Sequence, residues 1–136
     1  MANFVYGKAK QNILNGNINF SSNNFKVLFT NSTYVPNQNT HQFVSDILSS
    51  SVVYRSENIQ NITNVLGVVD ANDFNFSLPP NTALQAAILY QVGVNDSSSI
   101  LLLYIDTATG LPFPGSSQST TVSVNWSNEA SKILSL

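Results

Sequence analysis

Residues 83–105 read ALQAAILYQVGVNDSSSILLLYI. The first half puts Leu84, Ala86, Ile88, Tyr90 and Val92 on one side of an extended chain, the period of two that marks a strand. NDSS, at 95–98, is a cluster of turn formers. Ile100 to Ile105 then runs apolar on both sides, as expected of a central strand covered on both faces. Two strands joined by a short polar turn predict an antiparallel hairpin at the middle of a β-fold.

The same period extends in both directions. Downstream, TTVSVNW returns to strict alternation, with Val122, Val124 and Trp126 turned inward and Thr121, Ser123 and Asn125 outward. Between the hairpin and this strand lies DTATGLPFPGSSQS, too long for a tight turn and stiffened by Pro112 and Pro114. KILSL is expected as a terminal strand or extended tail. Upstream, DFNFSL sets Phe74, Phe76 and Leu78 on one face until Pro79 and Pro80 stop it. ITNVLGVVDAND reads as one strand ending in an Asp/Asn turn at 70–73, and SVVYR as a short strand. THQFVSDIL suggests one or two helical turns capped by Thr40. The polar loop 31–43 precedes it, and FKVLFT before that is a strand with Phe25, Val27 and Phe29 on one face. In FVYGKAKQNILN, at 4–15, Tyr6, Ala9 and Ile13 fall at helical spacing, and Asn15–Gly16 suits a helix C-terminus. We read a helix there, packed on the fold. The total is seven to nine short strands with one or two short helices, in a single domain spanning 1–136. The fold class is all-β, a mainly antiparallel β-sandwich or barrel.

Composition narrows the function. Charged residues are 9% of the 136 and hydrophobic residues 43%, so Asn, Ser and Thr carry the polarity. A surface of amides and hydroxyls has little long-range field. Five basic residues spread along a chain of net charge −2 make nucleic acid a poor partner. With no cysteine there is neither disulfide nor thiolate chemistry. The N-terminus lacks the apolar region of a signal peptide, and the apolar run 100–105 is far too short to span a bilayer. Synthesis in a cytoplasm and no membrane partner are expected.

Candidate chemistry is sparse, and no cofactor is expected. His41 could pair with Asp46, but one imidazole without placed partners carries no triad or metal logic, so a loop role is expected. Asp70 to Asp73 lack the further oxygens of a calcium loop and suit an Asx turn. Asp106 is expected to cap the turn amides of DTATG, with Gly110 supplying a permissive backbone. Tyr104 and Trp126 are candidates for a stacking platform, with the alternation favouring a core place for Trp126. The glycines are too scattered for a phosphate loop. No catalytic residue is assigned.

Three segments carry a resemblance. AKQNILNGNINFSSNNFKVLFTNSTYVPN resembles the opening of small structural proteins of tailed bacteriophage virions. LLLYIDTATGLPFPGSSQSTTVSVNW resembles that family's connector leading into an alternating strand with a closing Trp. NEASKILSL is similar to its terminal aliphatic strand. Residues 40–95 match only in kind. The resemblance implies a non-enzymatic capsid decoration (cement) protein on the virion surface. Its partner would be the major capsid protein, and it would form a homo-oligomer, a trimer being the expectation for a module bridging three capsid subunits. A tail or neck component and a glycan-binding β-sandwich are the alternatives. The connector supplies the candidate partner-contact residues Thr107, Thr109, Leu111, Pro112, Phe113 and Pro114.

Overall fold

A computed structural model describes residues 3–126 and 134–135. The hairpin read from the sequence lies inside the largest sheet. Strands β7 (Ala86–Gln91) and β8 (Ile100–Ile105) pair antiparallel, with Ile88 opposite Tyr104 and Leu89 opposite Leu103. The register shifts by a bulge between Leu89 and Tyr90. Asn95 closes the turn, its Oδ1 accepting from Ser97 N–H at 3.1 Å, while Ser99 Oγ accepts from Gly93 N–H at 3.0 Å. Strands β1 (Phe4–Val5), β2 (Phe25–Thr30) and β3 (Val52–Arg55) complete a sheet of order β1-β8-β7-β2-β3, antiparallel throughout. A bidentate Arg55–Asp96 ion pair, at 2.8 and 2.7 Å, ties β3 to the β7–β8 turn. It raises the Arg55 pKa and lowers that of Asp96.

Alternation gives this sheet two apolar faces. Phe25, Val27 and Phe29 share one with Leu89, Ala87 and Leu103 through direct cross-strand pairing. Two small sheets cover that face. Strands β6 (Phe74–Leu78) and β9 (Thr120–Val124) pair antiparallel, and the Phe76 ring sits 5.0 Å from Phe29 and stacks at 4.0 Å on Tyr54. Strands β4 (Thr63–Val65), β5 (Val68–Asp70) and β10 (Leu134–Ser135) form the other, in order β10-β5-β4. Its buried Val69 faces Phe20, Phe25 and Ile59. On the opposite face of the main sheet lie α1 (Gly7–Leu14) and the segment 34–51. There Phe4 stacks on Tyr104 at 5.0 Å, and the Tyr34 ring lies 6.3 Å from Tyr104. The sheets are layered and do not close into a barrel, so the expected antiparallel β class holds in its layered form.

Several local expectations are corrected. The helix starts at Gly7, because Phe4 and Val5 pair with Tyr104 and Leu103 as a strand. The C-terminal reading is right, with Asn15 at the end of the helix and Gly16 at φ +78°. ITNVLGVVDAND is a hairpin of β4 and β5 rather than one strand, turning at Leu66 (φ 52°) and Gly67 (φ 81°). Residues 40–48 hold one 3-10 turn at Val44–Asp46, and Thr40 does not cap it. The Asp46 carboxylate does so from the far end, accepting from Gln42 and Phe43 N–H at 2.8 and 2.9 Å. Burial opposes its charge, yet those two donors hold the carboxyl below its ordinary value.

Candidate interaction surface

The connector 106–119 is fixed at its start and again along its length. At its start, Asn3 Oδ1 accepts from the N–H groups of Asp106 and Thr107 at 3.0 and 3.1 Å, and Asn3 Nδ2 donates to Thr107 O at 2.9 Å. Capping of the turn amides therefore falls to Asn3, whereas the buried Asp106 carboxylate was expected to do it. That carboxylate instead accepts from the hydroxyls of Thr107 and Tyr104, at 2.9 and 3.3 Å. Ala108 and Leu111 bridge around Gly110, whose φ of +86° is the permissive backbone expected there. The Leu111–Pro112 peptide is cis. Further on, Phe113 and Leu84 exchange backbone hydrogen bonds of 2.7 and 2.9 Å.

Thr107, Thr109, Pro112 and Pro114 are exposed, while Leu111 and Phe113 are half-buried and face inward. The six candidate residues thus separate into an outer polar edge and an inner apolar one. The inner side borders a groove of about 530 Å³ between the connector, β9 and the main sheet. Its floor includes Ala87, Leu89, Leu103 and Ile105, its far wall Val122, Val124 and Trp126, and no charged residue among the described ones lines it. Trp126 is half-buried here, not a core residue. Its Nε1 donates to Asn72 O at 3.0 Å and its backbone N–H to Asp73 Oδ1 at 2.8 Å. So Asp73 braces the end of β9 rather than closing a local turn. Tyr104 lies on the other face of the sheet against Phe4, which separates it from Trp126 and rules out a shared stacking platform. Sequence reasoning missed the groove, since its floor residues read simply as core.

The remaining polar candidates are engaged internally. His41 Nδ1 lies 2.8 Å from the Tyr34 hydroxyl and 3.2 Å from Asn37 N–H. An amide N–H only donates, so Nδ1 is the acceptor and the imidazole proton belongs on Nε2. Tyr34 then donates to His41 and accepts from Tyr6, 2.9 Å away. Burial, then the neighbouring Tyr34 hydroxyl, raises the Tyr6 pKa. Burial pushes Tyr34 up to about 12, with its bond to Tyr6 pulling the other way. Tyr104 is raised by burial and then by Asp106. This chain of hydroxyls ends at the fully buried Tyr6, away from the groove, and anchors the loop 34–41 to the core. Among the described residues, no group of three or more His, Cys, Asp or Glu is placed to hold a metal ion.

No protein-family model, no curated protein and no solved structure matches this chain.

Proposed function

We propose that this chain is a non-enzymatic structural protein of a tailed-phage virion, most specifically a decoration module docked on the capsid through its connector 106–119. The observation that carries the reading is the way the connector is presented. Asn3 clamps its start, Leu84 holds it at Phe113 and Asn81 at Ser116, so Thr107, Thr109, Pro112 and Pro114 project from a braced loop. A loop held in one conformation loses little entropy on docking. The near-absence of charge fits a contact made by shape and hydrogen bonds rather than by long-range attraction. The resemblance of residues 9–37 and 101–126 to phage structural proteins points the same way. A module that recognises only the assembled lattice stabilises it by mass action, and repeated weak contacts add through effective concentration.

The glycan-reading alternative has less support. In the loop 31–40, Asn31 Oδ1 accepts from Thr33 N–H and Asn37 Oδ1 from Asn39 and Thr40 N–H. Those amide oxygens shape turns instead of facing outward for a sugar.

The test is binding of the purified protein to expanded and unexpanded capsids, followed by electron microscopy of the complex. Regular lattice occupancy with a raised capsid disruption temperature is expected, and Thr109→Arg/Pro112→Arg should abolish it. Occupancy confined to tails, or competable binding to a host polysaccharide without capsid binding, would sink the proposal.

A further inference from the structure

The β4–β5 arm bears two local costs that the fold of a single copy does not repay. Leu66, at its tip, is 97% exposed, and Val65 beside it 65% exposed. Leu66 also sits at φ 52°, in the left-handed region, where Asn or Gly at the first turn position is free of the penalty that a leucine Cβ meets. Strained backbone under an exposed apolar side chain is a feature that contact with a partner repays.

The same chain carries a complementary feature. The groove beside β9 has an apolar floor of Ala87, Leu89, Leu103 and Ile105 and, among the described residues, no charged lining residue. The outer part of the arm, from Asn61 to Val69, has no charged residue either, and Asp70 stands at its base opposite Thr63. Seating the tip in the groove therefore strips water from no ion among the described residues at the contact. Their backbones match as well. Among the described residues, β9 and β4 each stand at an outer position of their sheet, leaving one strand edge of each unpaired. An extended polypeptide with apolar residues and a free edge fills such a groove through both its floor and its wall, and the arm is such a segment.

We propose that the protein self-associates head to tail, the Val65–Leu66 tip of one copy seating in the groove of the next. The contact is heterologous, since knob and hole are different surfaces, so it propagates into a closed ring or an open chain according to the rotation between copies. The proposal does not rest on the capsid reading.

The experiment uses the full chain alone, followed by sedimentation velocity from about 5 to 500 μM. The wild type is expected to move from the 14.8 kDa monomer to larger species as concentration rises. Leu66→Asn removes the apolar knob while easing the backbone, so it should fold at least as well as wild type, by thermal midpoint at 5 μM, and remain monomeric at 500 μM. Ala108→Arg/Thr109→Arg changes two exposed residues on the groove rim and should also remain monomeric. Mixed in equal amounts, the two variants keep one intact knob and one intact groove between them, so they should form dimers and nothing larger. A wild type monomeric at 500 μM overturns the proposal. So does assembly of either variant alone, or a mixture that stays monomeric. Because no capsid is present, failure here is distinct from failure to decorate a shell.

Discussion

Residue by residue, the buried polar side chains among the described residues fall into those with partners and one without. Tyr6, Tyr34 and His41 satisfy each other in series, and Asp106 takes two hydroxyls. Thr30 differs, for it is fully buried and its Oγ1 finds no hydrogen-bond partner among the described residues. A buried hydroxyl without a partner costs its desolvation free energy, about 1–3 kcal/mol. Valine has nearly the same shape and keeps the β-branching that suits a strand. Thr30→Val is therefore expected to stabilise the fold by about 1 kcal/mol and raise the melting midpoint by roughly 2–6 °C. Thermal denaturation followed by circular dichroism measures it, and a lowered midpoint would show that the hydroxyl has a partner in solution. Such placement cannot be read from the sequence. In FKVLFT the alternation marks Thr30 for the same side as Lys26, whose side chain is only half-buried, and only the covering of both sheet faces places Thr30 in the core.

At the scale of elements, the β7–β8 hairpin depends on a close approach at Gly93. A Cβ there would lie 2.4 Å from the Ser98 carbonyl oxygen, a backbone atom that moves only if the turn opens. Gly93→Ala is expected to cost about 1–3 kcal/mol, the usual range for overpacking, measured by urea unfolding. Unchanged stability would mean that the turn relaxes freely. This hairpin was legible because both runs are long and the turn residues are all of one kind. The β4–β5 hairpin was not, because its turn is Leu-Gly, and a leucine at the first turn position looks like the middle of a strand. Helix α1 was half legible: Tyr6, Ala9 and Ile13 mark its spacing, and what makes the preceding Phe4 and Val5 a strand is pairing with Tyr104 and Leu103, about a hundred residues away. For the same reason the connector's length and turn residues were legible, but not its clamp. Asn3 reaches it across |i−j| of 103 and 104, and nothing local in ANF signals that role.

For the whole molecule, the scarcity of charge gives tyrosines an unusual share in the response to pH. The chain has seven acidic residues and five tyrosines. Tyr6, Tyr34 and Tyr104 cluster between α1, the segment 34–51 and β8, and all three have raised pKa values, with burial as the first cause. A raised folded-state pKa means that above the ordinary value of 10.0 the unfolded chain gives up its phenolic protons while the native state keeps them. Between pH 10 and about 12, where Tyr34 titrates in the folded protein, the unfolded state binds fewer protons, so stability falls as pH rises. The acid side has the opposite sign. Asp46 and Asp96 are lowered below the ordinary 3.8, so the stability they contribute is complete above that value and is lost as pH falls through their folded pKa values. Both carboxylates are largely solvent-exposed and screened, which makes the acid loss the smaller of the two. Urea unfolding midpoints should therefore drop more steeply from pH 10 to 12 than from pH 4 to 2. Tyr6→Phe/Tyr34→Phe should flatten the alkaline limb while leaving the acid limb in place. An alkaline limb equally steep in that double variant would show that the loss comes from groups other than this buried cluster.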